Sequence, residues 1–234
     1  MKHRYAYERE LVADLVDELP ATPVSNLPLA AAWGEVVFST RVVDVVGLYA
    51  SSQCSQVGEA LAGFEDRDLL VLAAIIACGP ISSERLTSTL GAGAERAVKQ
   101  SVGRLMNNDL VSPGPRALRS SLGEVLKECE VAAIEAKLHK QKDVLRQAED
   151  NLGLADFSYV ALPVTVAFKE DFLTSARTCG LGVMSVDPTG LFVLVRAPRR
   201  RGARRGIVQT HFTLRLLQES AARTGRWIST GGTT

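Results

Sequence analysis

The stretch Val131-Ala132-Ala133-Ile134-Glu135-Ala136-Lys137-Leu138 decides how this chain is read. It is an apolar run closed by a carboxylate and an amine two positions apart. Side chains on a strand alternate between faces, so residues i and i+2 point the same way. As a strand, the run puts Glu135 and Lys137 on one face and packs Ile134 and Ala136 on the other. A carboxylate and an amine leaving a core strand side by side carry a desolvation cost unless something uses them. Metal-assisted phosphodiester hydrolysis is one such use: the carboxylate holds a divalent cation, and the amine stabilises the attacking water or the phosphate charge. Alone, Glu-x-Lys is a weak signal, because charges alternate along many solvated strands.

The neighbouring segments sharpen it. Residues 35–49 read as two β-rich runs with a polar break at Ser39 to Arg41. Asp44 stands between Val42-Val43 and Val45-Val46, either as an edge-strand charge or as a functional carboxylate. Residues 141–151 have helical spacing, with Val144, Leu145 and Ala148 as the apolar stripe. Residues 155–163 read as a buried strand closed by Pro163. Residues 7–19 form an amphipathic helix with Leu11, Val12, Leu15, Val16 and Leu19 along one face, stopped by Pro20.

The order is helix, strand, strand with Asp44, strand with Glu135 and Lys137, helix with Gln147, strand. This pattern resembles the PD-(D/E)XK, or restriction-endonuclease-like, nuclease superfamily, over roughly residues 6–50 and 129–195. The resemblance implies an α/β fold with an αβββαβ core around a mixed central sheet. It implies that Asp44 and Glu135 bind Mg²⁺ or Mn²⁺ and that Lys137 positions or polarises the attacking water. Glu10 on the first helix completes the metal shell, with Glu8 nearby as the competing choice. Gln147 supports the site, its alternative being a solvated helix residue. Two departures stand out. Val43, not proline, precedes Asp44, and Asp44 and Glu135 lie 91 positions apart where the family has a short hairpin.

The gap has a pattern of its own. Residues 64–78 read as a helix with an acidic start, as the helix dipole prefers, ended by Gly79-Pro80. Residues 81–90 give a short second helix capped by Ser82 or Ser83. After Gly91-Ala92-Gly93, residues 94–108 give a third helix that turns Ala97, Val98, Val102, Leu105 and Met106 to a core. Residues 109–118 look like a short hairpin. Three helices and a hairpin resemble a winged helix-turn-helix module. That resemblance implies DNA contact by Arg96, Lys99, Gln100 and Arg104 on the third helix, with Arg116 and Arg119 on or near the wing. Many such modules bind only protein, so a protein partner is the alternative. The expected domains are a core in two parts, residues 1–58 and 128–228, an inserted winged-helix (α+β) domain at 59–127, and a flexible tail at 229–234.

Bulk properties are compatible with this. The chain has 234 residues, 46% of them hydrophobic, and a formal net charge of +1. It is not globally basic, so nucleic-acid contact has to come from local patches. One patch is Arg196 to Arg205, six arginines in ten positions without an acid. Its Gly and Pro content reads as an exposed, flexible loop, in which Arg199, Arg200 and Arg201 are candidates for phosphate contact. Cys54, Cys78, Cys129 and Cys179 are scattered, which argues against zinc ligation and a disulfide framework and suits a reducing cytoplasm. No run approaches membrane-spanning length. A last helix, about residues 210–224, is expected to pack across the core. The expected activity is Mg²⁺-dependent endonucleolytic cleavage of DNA by a cytoplasmic enzyme, as a homodimer if both strands are cut. The alternative is a non-catalytic DNA-binding or adaptor protein on a nuclease-like scaffold.

Overall fold

The computed structural model describes residues 5, 7–91, 93–139, 141–164, 169–187, 189–200 and 205–223. These residues form a mixed α/β structure in two compact units. One comprises residues 1–50 and 128–209, the other residues 51–127 and 210–234.

The first unit is built on a six-stranded sheet of order β1-β2-β5-β6-β7-β8. Its strands are β1 (Leu29–Phe38), β2 (Arg41–Ala50), β5 (Cys129–Ala136), β6 (Phe157–Pro163), β7 (Gly182–Asp187) and β8 (Gly190–Val195). The pairs β1–β2, β2–β5 and β7–β8 are antiparallel, while β5–β6 and β6–β7 are parallel. Parallel neighbours need a crossover. Helix α7 (Gln141–Asn151) lies between β5 and β6 in the chain, and α8 (Glu170–Thr178) between β6 and β7.

Alternation along the strands builds two cores. Val45, Ala132, Ile134, Ala136, Tyr159, Ala161 and Met184 face α1 (Glu8–Glu18), which supplies Leu11, Val12 and Leu15. Val160, Leu162 and Val183 face the other way, against Val144 and Ala148 of α7 and Phe172, Leu173 and Ala176 of α8. All eight residues of β5 are buried. That is why its sequence is unbroken apolar from Val131 to Ile134, between Glu130 and Glu135.

Ala50 and Cys129 are paired partners at the ends of β2 and β5. The two strands thus lie side by side, as in a hairpin, and the second unit leaves and re-enters the sheet at adjacent positions. The 91-residue spacing of Asp44 and Glu135 has its physical explanation here.

The second unit contains α2 (Ser52–Ala60), α3 (Asp66–Cys78), α4 (Ser83–Leu90), α5 (Glu95–Asn107), the two-residue strands β3 (Ser112–Pro113) and β4 (Leu118–Arg119), and α6 (Leu122–Val125). Ile81, between α3 and α4, forms a single antiparallel β-bridge with Leu118. Ser82, not Ser83, caps α4, accepting from the Arg85 N–H at 3.3 Å. Val98 and Leu105 of α5 are buried, with Ser101 between them.

The final helix, α9 (Ile207–Arg223), corrects the sequence reading. From Thr210 onward it belongs to the second unit, not to the first. Gln218 Nε2 donates to the carbonyls of Leu61 at 2.8 Å and Phe64 at 2.9 Å, and His211 Nε2 lies 3.0 Å from Asp66 Oδ1. Gly58 explains the fit: a Cβ there would lie 2.4 Å from the Leu217 carbonyl oxygen, so only glycine lets α9 approach α2 this closely. Helix α2 itself had no clear apolar period in the sequence. Among the described residues, no helix is long and apolar enough to cross a membrane. All four cysteines are free thiols.

Candidate functional site

Asp44 on β2 and Glu135 on β5 are opposite one another, because Val45 pairs with Ile134 in the antiparallel register. Cross-strand partners hold their Cβ atoms about 5 Å apart. Strand alternation sends both carboxylates to the α7 side, away from Ile134 and Ala136. Lys137 follows the end of β5, its N–H donating to the Ala161 carbonyl at 3.1 Å. The three residues form one charged cluster. Lys137 Nζ lies 3.0 Å from Glu8 Oε2 and 3.9 Å from Asp44 Oδ2. Asp44 Oδ2 accepts the Ala136 N–H at 2.8 Å. Glu135 Oε1 accepts from Asn151 Nδ2 of α7 at 2.7 Å, and Glu135 and Asn151 are each 3% exposed.

Electrostatics follow from this geometry. Burial, then the charge of Asp44, pushes the Glu135 carboxyl up to about 7, against Asn151 and Lys137, which favour its ionised form. Burial works against the Lys137 ammonium. The hydrogen bond to Glu8 and the charges of Asp44, Glu8 and Glu135 outweigh it and hold the amine above its ordinary value. The cluster is therefore a strained carboxylate pair with a firmly charged amine beside it.

Helix α7 adds an amide oxygen. Gln147 is one turn before Asn151 and shares its face. Its Oε1 is buried and has no hydrogen-bond partner. A buried acceptor left without a donor costs roughly 1–3 kcal/mol, so this oxygen is suited to a donor or cation from outside the chain. Among the described residues, no group of three or more His, Cys, Asp or Glu is placed to hold a metal ion. The oxygens offered are two carboxylates and one amide. That set suits a small hard cation that keeps most of its waters, not a closed protein cage.

The residues expected from sequence divide in two. Asp44, Glu135 and Lys137 come together, and Gln147 sits on the helix that contacts Glu135. Glu10 Oε2 accepts the Tyr7 N–H at 3.3 Å at the start of α1. Glu8 takes the place next to Lys137. The signal was present in the sequence, because Glu8 is three residues before Leu11 and four before Val12, on the buried stripe, and Glu10 is off it. Asn151 was missed. Four residues after Gln147, it reads as an ordinary polar end to a helix.

The expected DNA contacts also divide. Arg96, Lys99, Gln100, Arg116 and Arg119 are exposed, with Lys99 paired to Glu95 at 2.7 Å. Arg104 is committed elsewhere: it grips the buried Asp68 of α3 through Nε and Nη2, the latter 2.6 Å from Oδ1. In the arginine-rich segment, Arg199 Nε lies 3.0 Å from Glu130 Oε1, and Arg200 donates to the Leu152 carbonyl. Arg205 pairs with Asp156 at 2.7 Å. Buried Glu130 and Asp156 draw these guanidiniums inward because an unpaired buried carboxylate is costly. Residues 196–200 lie outside helix and strand, as the composition suggests, but Arg199 and Arg200 are committed to partners within the fold. Arg201 lies outside the described residues.

No protein-family model matches this chain, and neither does any curated protein or solved structure.

Proposed function

We propose that this chain is a metal-dependent nuclease that hydrolyses DNA phosphodiester bonds. The observation that carries the reading is the meeting of Asp44, Glu135 and Lys137 in one cluster, with Gln147 offering a buried, unpartnered oxygen from α7. The element order around it suits a restriction-endonuclease-like core. Asp44 and Glu135 would hold Mg²⁺ or Mn²⁺, and cation binding would relieve their mutual repulsion. When bound, such an ion lowers the pKa of a water and offsets charge on the phosphoryl oxygens. Lys137 keeps its proton on Nζ and orients the attacking water while balancing phosphate charge. Glu8 holds that amine in place. Gln147 Oε1 would accept a hydrogen bond from a bound water.

The second unit is read as a winged-helix-like element, with α5 as the helix that meets DNA and the β3–β4 ribbon as its wing. Arg96, Lys99, Gln100, Arg116 and Arg119 are the contacts this assigns. One observation favours a second reading, in which this unit binds a protein that recruits the nuclease: Arg104 and Lys99 are already paired, so the outward face of α5 is only mildly basic. Changing Arg96 and Lys99 to Glu separates the two. A loss of DNA affinity supports direct contact, and unchanged affinity points to the protein partner.

The deciding experiment is cleavage of linear, circular and branched DNA with Mg²⁺ or Mn²⁺ by wild type and Lys137→Ala. Cleavage that falls at least a hundredfold in the variant supports the assignment. DNA binding without cleavage by the wild type would instead make the chain a non-catalytic scaffold.

A further inference from the structure

Each carboxylate of the candidate site is clamped on one oxygen. The Ala136 N–H holds Asp44 Oδ2, and Asn151 Nδ2 holds Glu135 Oε1. Ala136 is fully buried and Asn151 nearly so, so water cannot easily replace either donor. The Asn151 clamp is the more consequential one because it is a side chain on a different element. It fixes which Glu135 oxygen is turned to the helix and leaves Oε2 for the Asp44 side. A carboxylate held in this way keeps its clamped oxygen turned to the helix and presents the other oxygen to a cation.

Cations differ in what they ask of a carboxylate. Ca²⁺ gathers about six to eight oxygens in flexible geometry and is well served by bidentate carboxylates. Mg²⁺ demands near-octahedral geometry, keeps several waters and needs only one or two carboxylates. The unpartnered Gln147 oxygen, one turn from Asn151, fits the second pattern, since a retained water can donate to it.

We infer that Asn151 determines the cation specificity of the site: by holding Glu135 Oε1 it keeps Glu135 a one-oxygen ligand and favours Mg²⁺ or Mn²⁺ over Ca²⁺. The inference rests on the nuclease reading above. Asn151 acts through Glu135, so it is a positioning residue, and cleavage rate alone would not reveal its role.

The test is calorimetric titration of the full chain with Mg²⁺, Mn²⁺ and Ca²⁺ separately, for wild type, Asn151→Ala and Asp44→Asn, with thermal unfolding as a check on folding. Partners of this kind typically change metal affinity by about 10- to 100-fold. The expected result is a Ca²⁺-to-Mg²⁺ affinity ratio that rises roughly tenfold or more in Asn151→Ala, as Glu135 becomes able to chelate with both oxygens. Asn151→Ser, whose hydroxyl stops short of Glu135, carries the same expectation should the alanine variant not fold. If both affinities change by the same factor, Asn151 is a structural partner only. The inference then falls, and the nuclease reading stands. If wild type binds no cation, or Asp44→Asn binds as well as wild type, the nuclease reading falls and takes this inference with it.

Discussion

Burial and the adjacent Asp44 charge push Glu135 up to about 7, whereas an unfolded chain would release the same proton near 4.5. The sign of the linkage follows. The stability associated with the protonated carboxyl is complete below the unfolded value and is lost as pH rises through about 7. Each unit of separation is worth about 1.4 kcal/mol, so the cost at alkaline pH is on the order of 3 kcal/mol. Glu135→Gln is therefore expected to stabilise the metal-free protein by roughly 2–3 kcal/mol at pH 8 and by little at pH 4.5, while abolishing cleavage. Urea unfolding at the two pH values measures it. An equal gain at both would show that the ionised carboxyl is not the source. The two strand carboxylates and Lys137 were legible because an acid between valines and a Glu-x-Lys on an apolar run violate the local pattern. Asn151 violated nothing. A polar residue near a helix end is ordinary, and only packing against β5 buries it.

Helices and strands with a strong period were legible, and those shaped by neighbours were not. The amphipathic stripes of α1 and α5 follow from spacing alone. Strand β1 reaches back to Leu29 through an alanine run that has no β preference of its own, and pairing with β2 makes it a strand. Arg104 shows the same limit on the third helix of the second unit. Its position is outward by period, yet it turns to satisfy Asp68, which is 1% exposed. Those hydrogen bonds outweigh burial and hold the Asp68 carboxyl below its ordinary value, so the tie weakens as pH falls through that lowered value. Arg104→Ala is expected to lower the melting temperature by several degrees at neutral pH, because it strands a buried carboxylate. Arg96→Ala should leave it nearly unchanged. Calorimetry of the two variants decides; equal melting temperatures would mean that Asp68 finds another partner.

The chain interrupts its first unit with the second and then returns to the second to end. Periodicity has no access to that arrangement, because an apolar helix face is equally content against either core. The last helix shows this: its stripe is plain, but the glycine that admits it to the second unit, Gly58, lies about 150 residues earlier in the sequence. The consequence is specific. Glu8, Asp44, Glu135, Lys137, Gln147 and Asn151 all belong to the first unit, and α9 beyond Gln209 belongs to the second. Removing residues 51–127 alone would leave α9 with its apolar face uncovered, and that version is expected to aggregate. Removing residues 51–127 and everything after Gln209 takes away one whole unit. Ala50 and Cys129 are paired, so a short Asn-Gly turn can close β2 onto β5. This doubly trimmed protein is expected to fold cooperatively and bind Mn²⁺ with close to the parent affinity, with DNA affinity reduced at least tenfold. Circular dichroism and calorimetric titration against the full chain measure the three quantities. A folded product that has lost Mn²⁺ binding would show that the site needs more than the first unit supplies. Retained DNA affinity would move the nucleic-acid contacts off α5 and onto the sheet that carries Asp44 and Glu135.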